Sequence, residues 1–384
     1  MAGLTRRRFL TTLTGVPALG ALGALAWPLL RGLRPMDGNL GSGGRDGGDG
    51  RPFGLPYGEV MSGDQVWACT DLGAFPRPLP SLRGLAGVVV MEDREPEFFF
   101  TFRRYRPDAT VPLNRHGPLA AWSTQRDLRG LVRALQRQGI RVAVGFWNYA
   151  VYAGTRPAWL QDFPELHPLP GSSDLYPFVR LHRFGMDYAE FIGRQYARLR
   201  DAFGFDGLML GDGFSGFRSF ASPDLYQDQH LMIPRWTGFY RTVARQVQGA
   251  GGVLLAYDCM GFPYEEARLH GVDYAEVAAV GLDYLVYQSY PQAWGEYWLR
   301  DRAERFDLAA CDRNLRSVRR ALHGSACRLI YSVELEDSVE GWRADPDKTR
   351  RQMAAHDPVA GGRFLVWAND VLARRAAASG RIVP

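Results

Sequence analysis

Eight short apolar segments recur along this chain, and most of them are followed by a segment with helical periodicity. Short β-rich segments that alternate with amphipathic helices predict a parallel α/β fold. Eight repeats in one chain favour a (β/α)8 TIM barrel, with a doubly wound open sheet as the alternative. The predicted strands are Val66–Thr70, Ala86–Met91, Arg141–Trp147, Gly207–Leu210, Val253–Tyr257, Tyr284–Gln288, Leu329–Val333 and Phe364–Trp367.

Five segments between these strands have apolar residues at helical spacing. In the second of them, residues such as Tyr188, Ile192 and Tyr196 recur at steps of three and four, which predicts one apolar stripe on a helix. Two connections, 92–123 and 148–185, are long, and we expect long loops on the carboxyl-end face of the barrel. The predicted helices are Thr124–Gln138, Met186–Phe203, Pro234–Gln248, Asp312–His323 and Lys348–Ala355.

Residues 1–36 have the pattern of an export signal. The run from Thr5 to Leu10 reads Thr-Arg-Arg-Arg-Phe-Leu, a twin-arginine signature, and an apolar stretch follows it. Small residues predict cleavage after Ala26, and an uncleaved membrane anchor is the alternative. Residues 37–50 form a glycine-rich linker, so we expect one barrel domain over residues 51–384.

This signal predicts a partner and a location. We expect the chain to fold before export by the twin-arginine machinery and then to act in the periplasm or outside the cell. After cleavage we expect no stable membrane insertion.

The charge distribution argues against a nucleic-acid partner. The net charge is +5, but five arginines lie before residue 37 with no acidic residue among them, so the rest of the chain is neutral. Nucleic-acid binders usually have a basic surplus. The four cysteines are too scattered for a disulfide scaffold, and either buried thiols or a bridge between Cys311 and Cys327 fits the pattern.

Acidic, amide and aromatic residues follow the predicted strands. The carboxyl ends of the strands of a parallel barrel meet at one opening, where active sites lie. Carboxylates and amides bond to sugar hydroxyls, and aromatic rings pack on the apolar face of a pyranose. We therefore expect an oligosaccharide or polysaccharide to be bound by Trp147, Asn148, Tyr149, Tyr257, Gln288, Tyr290, Trp294, Glu336, Trp367 and Asn369.

Hydrolysis of a glycosidic bond takes two carboxyl groups, one protonated and one ionised. The candidates are Asp212, Asp258 and Glu334, at the ends of strands four, five and seven. Alternation along strand seven groups Glu334 with Ile330 and Ser332, which predicts that Glu334 points into the barrel. We expect Asp212 to be the nucleophile or base and Glu334, or else Asp258, to be the acid. A turn role for Asp212 and a capping role for Asp258 are the alternatives.

The sequence Phe205-Asp206-Gly207 resembles the start of the fourth strand in barrel glycoside hydrolases, which often ends in a catalytic carboxylate. The chitinase-type pattern Asp-Gly-x-Asp-x-Asp-x-Glu is incomplete, because Met209, Gly211 and Gly213 occupy its later acidic positions. The position of Asp212 is more similar to that of the nucleophile in galactosidase-like and amylase-like barrels. The resemblance therefore implies glycosidase chemistry that does not follow the chitinase pattern.

Several other chemistries lack their motifs. The seven histidines form no His-x-His and no His-Glu-x-x-His pair, which disfavours a metal site. The Gly-x-Ser-x-Gly elbow and the phosphate-binding Gly-Lys-Ser/Thr loop are also missing. We therefore expect an exported glycoside hydrolase without metal or cofactor. The alternatives are a non-catalytic carbohydrate-binding barrel and a hydrolase of another bond type.

Overall fold

Eight parallel strands close into a barrel in the computed structural model of this chain. The described residues are 63–71, 75, 79, 81–91, 125–146, 148, 160–161, 163–167, 175–211, 214, 229–258, 261, 263–269, 271–298, 300–333 and 345–367. The barrel strands, labelled β1–β8, are Gly63–Asp71, Leu85–Met91, Arg141–Phe146, Gly207–Leu210, Val253–Asp258, Tyr284–Gln288, Arg328–Val333 and Phe364–Trp367. Each strand pairs in parallel with the next, and β1 pairs with β8, which confirms the predicted fold.

Alternate residues of the strands form two separate apolar layers. Met209, Ile330 and Leu365 belong to the layer that fills the barrel lumen. Their strand neighbours Leu208 and Tyr331 belong to the larger layer that packs against the helices. This alternation is the period of two that a strand imposes on its side chains, and it confirms the predicted phase of β7 for its described residues.

Helices cover the outside of the barrel between most strands. The predicted helices are all present, and α3 begins five residues before its predicted start at Pro234, because burial of Met232 and Trp236 extends it past the proline. Two six-residue helices, α4 and α5, were not predicted because they are too short to show a period. The helices α1–α7 are Gln125–Gln136, Tyr188–Phe203, Gln229–Gly249, Tyr264–Leu269, Tyr274–Ala279, Leu308–Ala321 and Pro346–Ala360.

Shorter elements complete the described structure. The segment Pro291–Trp298 after β6 forms a π-helix, and Arg300–Arg305 continues it as a 3-10 helix. A small antiparallel ladder pairs Arg180–Leu181 with Met186–Asp187 before α2, and a 3-10 turn, His182–Phe184, joins its two strands. The sequence pattern treated 287–294 as a loop, because a π-helix has no common sequence signature.

The aspartate of the Phe-Asp-Gly motif has a structural role at the amino end of the barrel. Its Oδ2 accepts hydrogen bonds from the backbone N–H of Val142, at 2.9 Å, and from Nε2 of Gln136, at 3.1 Å. Gln136 Nε2 also donates to the carbonyl oxygen of Gly204, at 2.7 Å. Asp206 therefore ties β4 to β3 and to the end of α1, on the face opposite the carboxyl ends of the strands.

The same arrangement recurs two strands further along the chain. Asp283 Oδ2 accepts from the backbone N–H of Leu254, at 2.8 Å, and from Nε2 of Gln248, at 3.3 Å. Gln248 Nε2 also donates to the carbonyl oxygen of Gly281. The sequences Gly204-Phe205-Asp206 and Gly281-Leu282-Asp283 therefore form the same hydrogen-bonded arrangement at the amino end of the barrel.

The predicted alternative of a bridge between Cys311 and Cys327 is wrong, because both are reduced, buried thiols. Cys311 lies in the first turn of α6, and the helix runs on for ten residues to Ala321 before the chain returns to Cys327. Ten helical residues span about 15 Å. A disulfide allows a Cα separation of no more than about 7 Å.

The predicted signal and linker, residues 1–50, lie outside the described residues. In the part of the chain that is described, none of the helices has the length and apolar character needed to cross a membrane.

Candidate active site

In the sequence, the candidate acids lie at or just after the ends of three strands. The carboxyl ends of these strands open on the same side of the barrel, here called the mouth. Asp258 is the last residue of β5, and its Cα partner on β6 is Tyr287. Asp212 comes two residues after the end of β4, and Glu334 directly follows the end of β7. The predicted residues Trp147, Tyr149, Asp212, Glu334, Glu336 and Asn369 lie outside the described residues, and Tyr257, Asp258 and Trp367 are described as strand residues only.

Gly211 and Phe214, on either side of residues 212–213, are both fixed by contacts within the barrel. The N–H of Gly211 donates to the carbonyl oxygen of Phe146, at 2.7 Å, which continues the pairing of β3 with β4. Phe214 is fully buried, and its ring lies 5.4 Å from that of Phe146. Its carbonyl oxygen accepts a hydrogen bond from the hydroxyl of Tyr240, at 2.7 Å. Gly211 and Phe214 are therefore both anchored close to the end of β4.

The floor of the mouth contains polar groups at the ends of β6 and β7. Gln288, the last residue of β6, has Ser332 of β7 as its Cα partner, and both are buried. The hydroxyl of Tyr290 lies 2.8 Å from Oγ of Ser332. The structure therefore brings the predicted residues Gln288 and Tyr290 together, and Tyr290 is half-buried above them.

Trp294 supports the ring of Tyr290 from behind. The two rings meet edge to face with centroids 4.8 Å apart, and Trp294 also packs against Phe306 at 5.5 Å. The exposed fraction of Trp294 is 8%, so most of its surface is covered by the protein. Of these two predicted residues, Tyr290 is the more exposed.

Ser289 is fixed in place by three elements. Its carbonyl oxygen accepts hydrogen bonds from the hydroxyl of Tyr331 on β7, at 3.2 Å, and from Nε2 of Gln352 on α7, at 3.1 Å. Its Oγ lies 2.8 Å from Sγ of Cys311 on α6. This network holds the segment between Gln288 and Tyr290 rigidly, so the polar floor is preorganised.

The loop after β5 packs closely on this segment. Gly261 has a positive φ of 61°, and a Cβ built there would lie 3.0 Å from the carbonyl oxygen of Gln288. Its own carbonyl oxygen accepts a hydrogen bond from Nδ2 of Asn314, at 3.0 Å. Only glycine meets both the conformation and the close approach, and the contact brings the chain after Asp258 next to the end of β6.

Asn148 anchors the long connection that follows β3. Its Nδ2 donates to the carbonyl oxygen of Leu175, at 2.8 Å, and its Oδ1 accepts from the hydroxyl of Tyr188, at 3.0 Å. The residue is fully buried. The sequence pattern predicted a substrate contact by this side chain. Such a contact would require these internal hydrogen bonds to break.

A further part of the same connection lies against the N-terminal half of α3. The rings of His167 and Tyr176 are stacked with centroids 5.5 Å apart, and Arg235 of α3 donates to the hydroxyl of Tyr176 at 3.1 Å. Phe178 packs edge to face on Trp236 at 4.8 Å. These contacts attach the described part of the long loop to the barrel.

A polar stripe on the buried face of α7 was missed by sequence reasoning. Thr349, Gln352 and His356 are all buried, and they recur at steps of three and four. Gln292 of the π-helix donates to Oγ1 of Thr349, at 2.9 Å, and accepts from the N–H of Asp345, at 2.7 Å. The sequence signal that could have revealed this stripe is the helical spacing of its three polar residues.

His356 is a buried imidazole beside one carboxylate. Its Nδ1 lies 3.6 Å from Oδ1 of Asp312 on α6, and its ring meets that of Tyr331 edge to face at 5.0 Å. Burial lowers the pKa of His356, and the nearby Asp312 only partly opposes this effect. The pKa of Asp312 is itself lowered, because the effect of its burial is outweighed by the hydrogen bond and charge of Arg316 and by the nearby His356. His356 is therefore neutral near pH 7.

Among the described residues, no group of three or more His, Cys, Asp or Glu side chains is placed to hold a metal ion.

Neither a protein-family model nor a curated protein matches this chain. Solved structures of similar shape include the PgaB (BpsB) glycoside hydrolase domain from Bordetella bronchiseptica, with 18% identity and a TM-score of 0.49 over 82% of this chain and 97% of that one. A class V chitinase from Pseudomonas fluorescens Pf-5 has 14% identity and a TM-score of 0.45 over 82% and 99%. An HpcH/HpaI aldolase from Desulfitobacterium hafniense DCB-2 has 14% identity and a TM-score of 0.36 over 85% and 96%. At these values the likeness carries no argument about activity.

Proposed function

We propose that this chain is an exported glycoside hydrolase, with Asp212 as nucleophile or base and Glu334 as the proton donor. The observation that carries the proposal is the closed parallel barrel itself, because the strands that end at or next to Asp212, Asp258 and Glu334 all open at one mouth. Three acids that end or follow strands opening at one mouth, where a half-buried tyrosine and a buried amide also lie, would suit a sugar substrate.

The strand phase supports the choice of Glu334 over Asp258 as the acid. Ile330 is a lumen residue of β7, so a count in steps of two through Ser332 assigns the lumen phase to Glu334. The corresponding count in β5 starts from Leu255 and assigns the lumen phase to Tyr257, not to Asp258. The same count in β4 starts from Met209 and assigns the lumen phase to Gly211, so Asp212 reaches the mouth only if the chain turns after the strand ends.

The proposed chemistry needs no group beyond these residues and water. Protonated Glu334 donates its proton to the glycosidic oxygen as the bond to the anomeric carbon breaks. Ionised Asp212 either attacks that carbon or deprotonates the water that attacks it. In the first case, water later releases the sugar and returns a proton to Glu334. Gln288 and Tyr290 would bind hydroxyls and one face of the sugar ring.

Active-site variants and a matched control test this mechanism. Purified protein is assayed on chromogenic glycosides and cell-wall polysaccharides together with Asp212→Asn, Glu334→Gln, Asp258→Asn and Asp206→Asn variants. We expect Asp212→Asn and Glu334→Gln to lower kcat by at least about a thousandfold without a change in Tm. Asp206→Asn should lower Tm and leave kcat unchanged, because Asp206 lies at the opposite end of the barrel.

Two outcomes would overturn the proposal. Full turnover by Asp212→Asn would remove that residue from the mechanism. Saturable binding of a polysaccharide with no turnover by the unmodified protein would instead identify a carbohydrate-binding barrel.

Export rests on the sequence signature alone, and it has its own test. The double variant Arg6→Lys and Arg7→Lys should leave the protein in the cytoplasm, because the twin-arginine route reads this pair. N-terminal sequencing of the exported protein distinguishes cleavage after Ala26 from a retained anchor. Export of the double variant at the normal rate would contradict the assignment.

A further inference from the structure

Three arginines lie at the end of the barrel opposite the mouth. Arg141 and Arg328 are the first residues of β3 and β7, and Arg363 directly precedes β8. Each lies two positions before a lumen residue of its strand, and these lumen residues are Ala143, Ile330 and Leu365. All three arginines therefore share the lumen phase at the amino end.

Tyr284 lies at the centre of this group. Its hydroxyl is 3.5 Å from Nη1 of Arg141, although β3 and β6 lie three strands apart around the barrel. Arg328 is the Cα partner of Tyr284 on the neighbouring strand. The ring of Tyr284 packs on Trp67 with centroids 5.9 Å apart, and both rings are buried. The two rings form an apolar floor below the arginines.

Two of the three arginines have no carboxylate partner in the part of the chain that the structure describes. Arg141 and Arg328 are exposed, and neither forms an ion pair with a carboxylate among the described residues. The acids at this end, Asp206 and Asp283, instead accept hydrogen bonds from strand N–H groups and glutamines.

Arg363 lies close to Arg328 on the neighbouring strand. Its Nε donates to the carbonyl oxygen of Leu329, at 3.0 Å. Burial lowers the pKa of Arg363, and the nearby charges of Arg328 and Arg319 lower it further. Arg319 is itself fixed by hydrogen bonds to the carbonyl oxygens of Pro358 and Val359. Like charges held this close to one another favour an anion.

We propose that Arg141, Arg328, Arg363 and Tyr284 form a binding site for a phosphate-type oxyanion, here called the amino-end site. Guanidinium groups present planar pairs of N–H donors that match the oxygens of a phosphate, and the tyrosine hydroxyl adds one more donor. The phosphate belongs either to a soluble molecule or to a lipid headgroup. The site is independent of the proposed glycosidase activity, which lies at the other end of the barrel.

Calorimetric titration with inorganic phosphate and pyrophosphate, at low and constant ionic strength, tests the site. The variants are Arg141→Gln, Arg328→Gln and their combination. Arg137→Gln is the matched control, since Arg137 is an exposed arginine near the same end and its replacement removes the same charge. We expect the double variant to weaken binding at least tenfold and the control to stay within twofold of the unmodified protein. Tyr284→Phe, which keeps the ring on Trp67, should weaken binding less.

A second arm identifies the source of the phosphate. Cosedimentation with phosphatidylglycerol vesicles is compared with cosedimentation with phosphatidylcholine vesicles for the same variants. Binding of free phosphate that depends on Arg141 and Arg328 supports a soluble ligand. Vesicle binding with the same dependence, and no binding of free phosphate, supports a lipid headgroup.

The proposal is overturned if neither phosphate nor vesicles bind. It is equally overturned if Arg137→Gln weakens binding as much as Arg141→Gln, since that result would reflect net charge alone. Thermal melting of every variant establishes that it is folded, and Tyr284→Phe provides the remaining test if Arg141→Gln does not fold. Glycosidase turnover should be unchanged in all of them.

Discussion

The hydroxyl of Tyr290 lies 2.8 Å from Oγ of Ser332, so the chain leaving β6 is tied to the lumen side of β7 at the mouth of the barrel. Trp294 packs against the same ring from the other side. One bond and one aromatic contact thus hold the ring that we propose binds the substrate.

Tyr290→Phe and Ser332→Ala should each destabilise the protein by about 1 kcal/mol, since each removes one side of a single hydrogen bond. Because they remove the same bond, the double variant should cost less than the two single changes together. Urea unfolding of the four proteins measures this coupling. If the losses of unfolding free energy in the two single variants add up to the loss in the double variant, the hydrogen bond contributes nothing. Tyr290→Ala should also raise KM about tenfold, by loss of the ring contact.

Asp206→Ala should destabilise the protein by about 1–3 kcal/mol, because it leaves the N–H of Val142 and Nε2 of Gln136 without this acceptor. Asp283→Ala should have a similar effect, since the equivalent bonds are lost. Chemical denaturation measures both. A loss of activity greater than the loss of folded protein would contradict the structural role of Asp206.

Gly252→Ala should destabilise the protein by about 1–3 kcal/mol, because a Cβ built there would lie 1.9 Å from the hydroxyl oxygen of buried Tyr196. The matched control is Gly249→Ala, at the end of α3. A Cβ there meets no atom within 4 Å, so we expect no loss and a gain of up to about 1 kcal/mol from helix propensity. Thermal unfolding compares the two, and equal Tm values would contradict the close packing of Tyr196 against Gly252.

Stability should fall as the pH is lowered from 7.5 towards 5.5, in part because of His356. Burial lowers its pKa in the folded protein from the ordinary value of 6.5, so below that value the unfolded chain binds a proton that the folded one does not. The contribution is complete above pH 6.5 and is lost as the pH falls. The lowered pKa of Asp312 acts only at more acidic pH.

His356→Gln should therefore flatten the dependence of Tm on pH between 5.5 and 7.5. His323→Gln is the control, because His323 is exposed after α6. If His356→Gln keeps the full dependence, another group is responsible.

The barrel could be predicted from the sequence because its signals are local. The apolar segments around Val142, Leu208 and Leu285 are short and bounded by glycines or charges, so their strand identity depends on few neighbours. The lumen phase of Ile330 and Ser332 followed from alternation within one strand. The helices α4 and α5 were missed because six residues carry too little of a helical period, and their stability comes from packing.

Only the tertiary structure determines which polar side chains face the mouth and which form hydrogen bonds within the protein. Asn148 is a polar residue after a strand, like Gln288, but contacts with Leu175 and Tyr188 turn it inward as a loop anchor. Its neighbours along the chain give no sign of this. Whether a side chain at the mouth faces substrate or protein depends on segments that arrive from elsewhere in the sequence.

The amino-end site is the clearest case. Sequence alone predicted eight strands and their positions along the chain, because a strand needs only its own residues to be recognised. It gave no indication that Arg141 would meet Tyr284, which is 143 positions away. Closure of the barrel creates that contact, since it brings the amino ends of distant strands around one lumen.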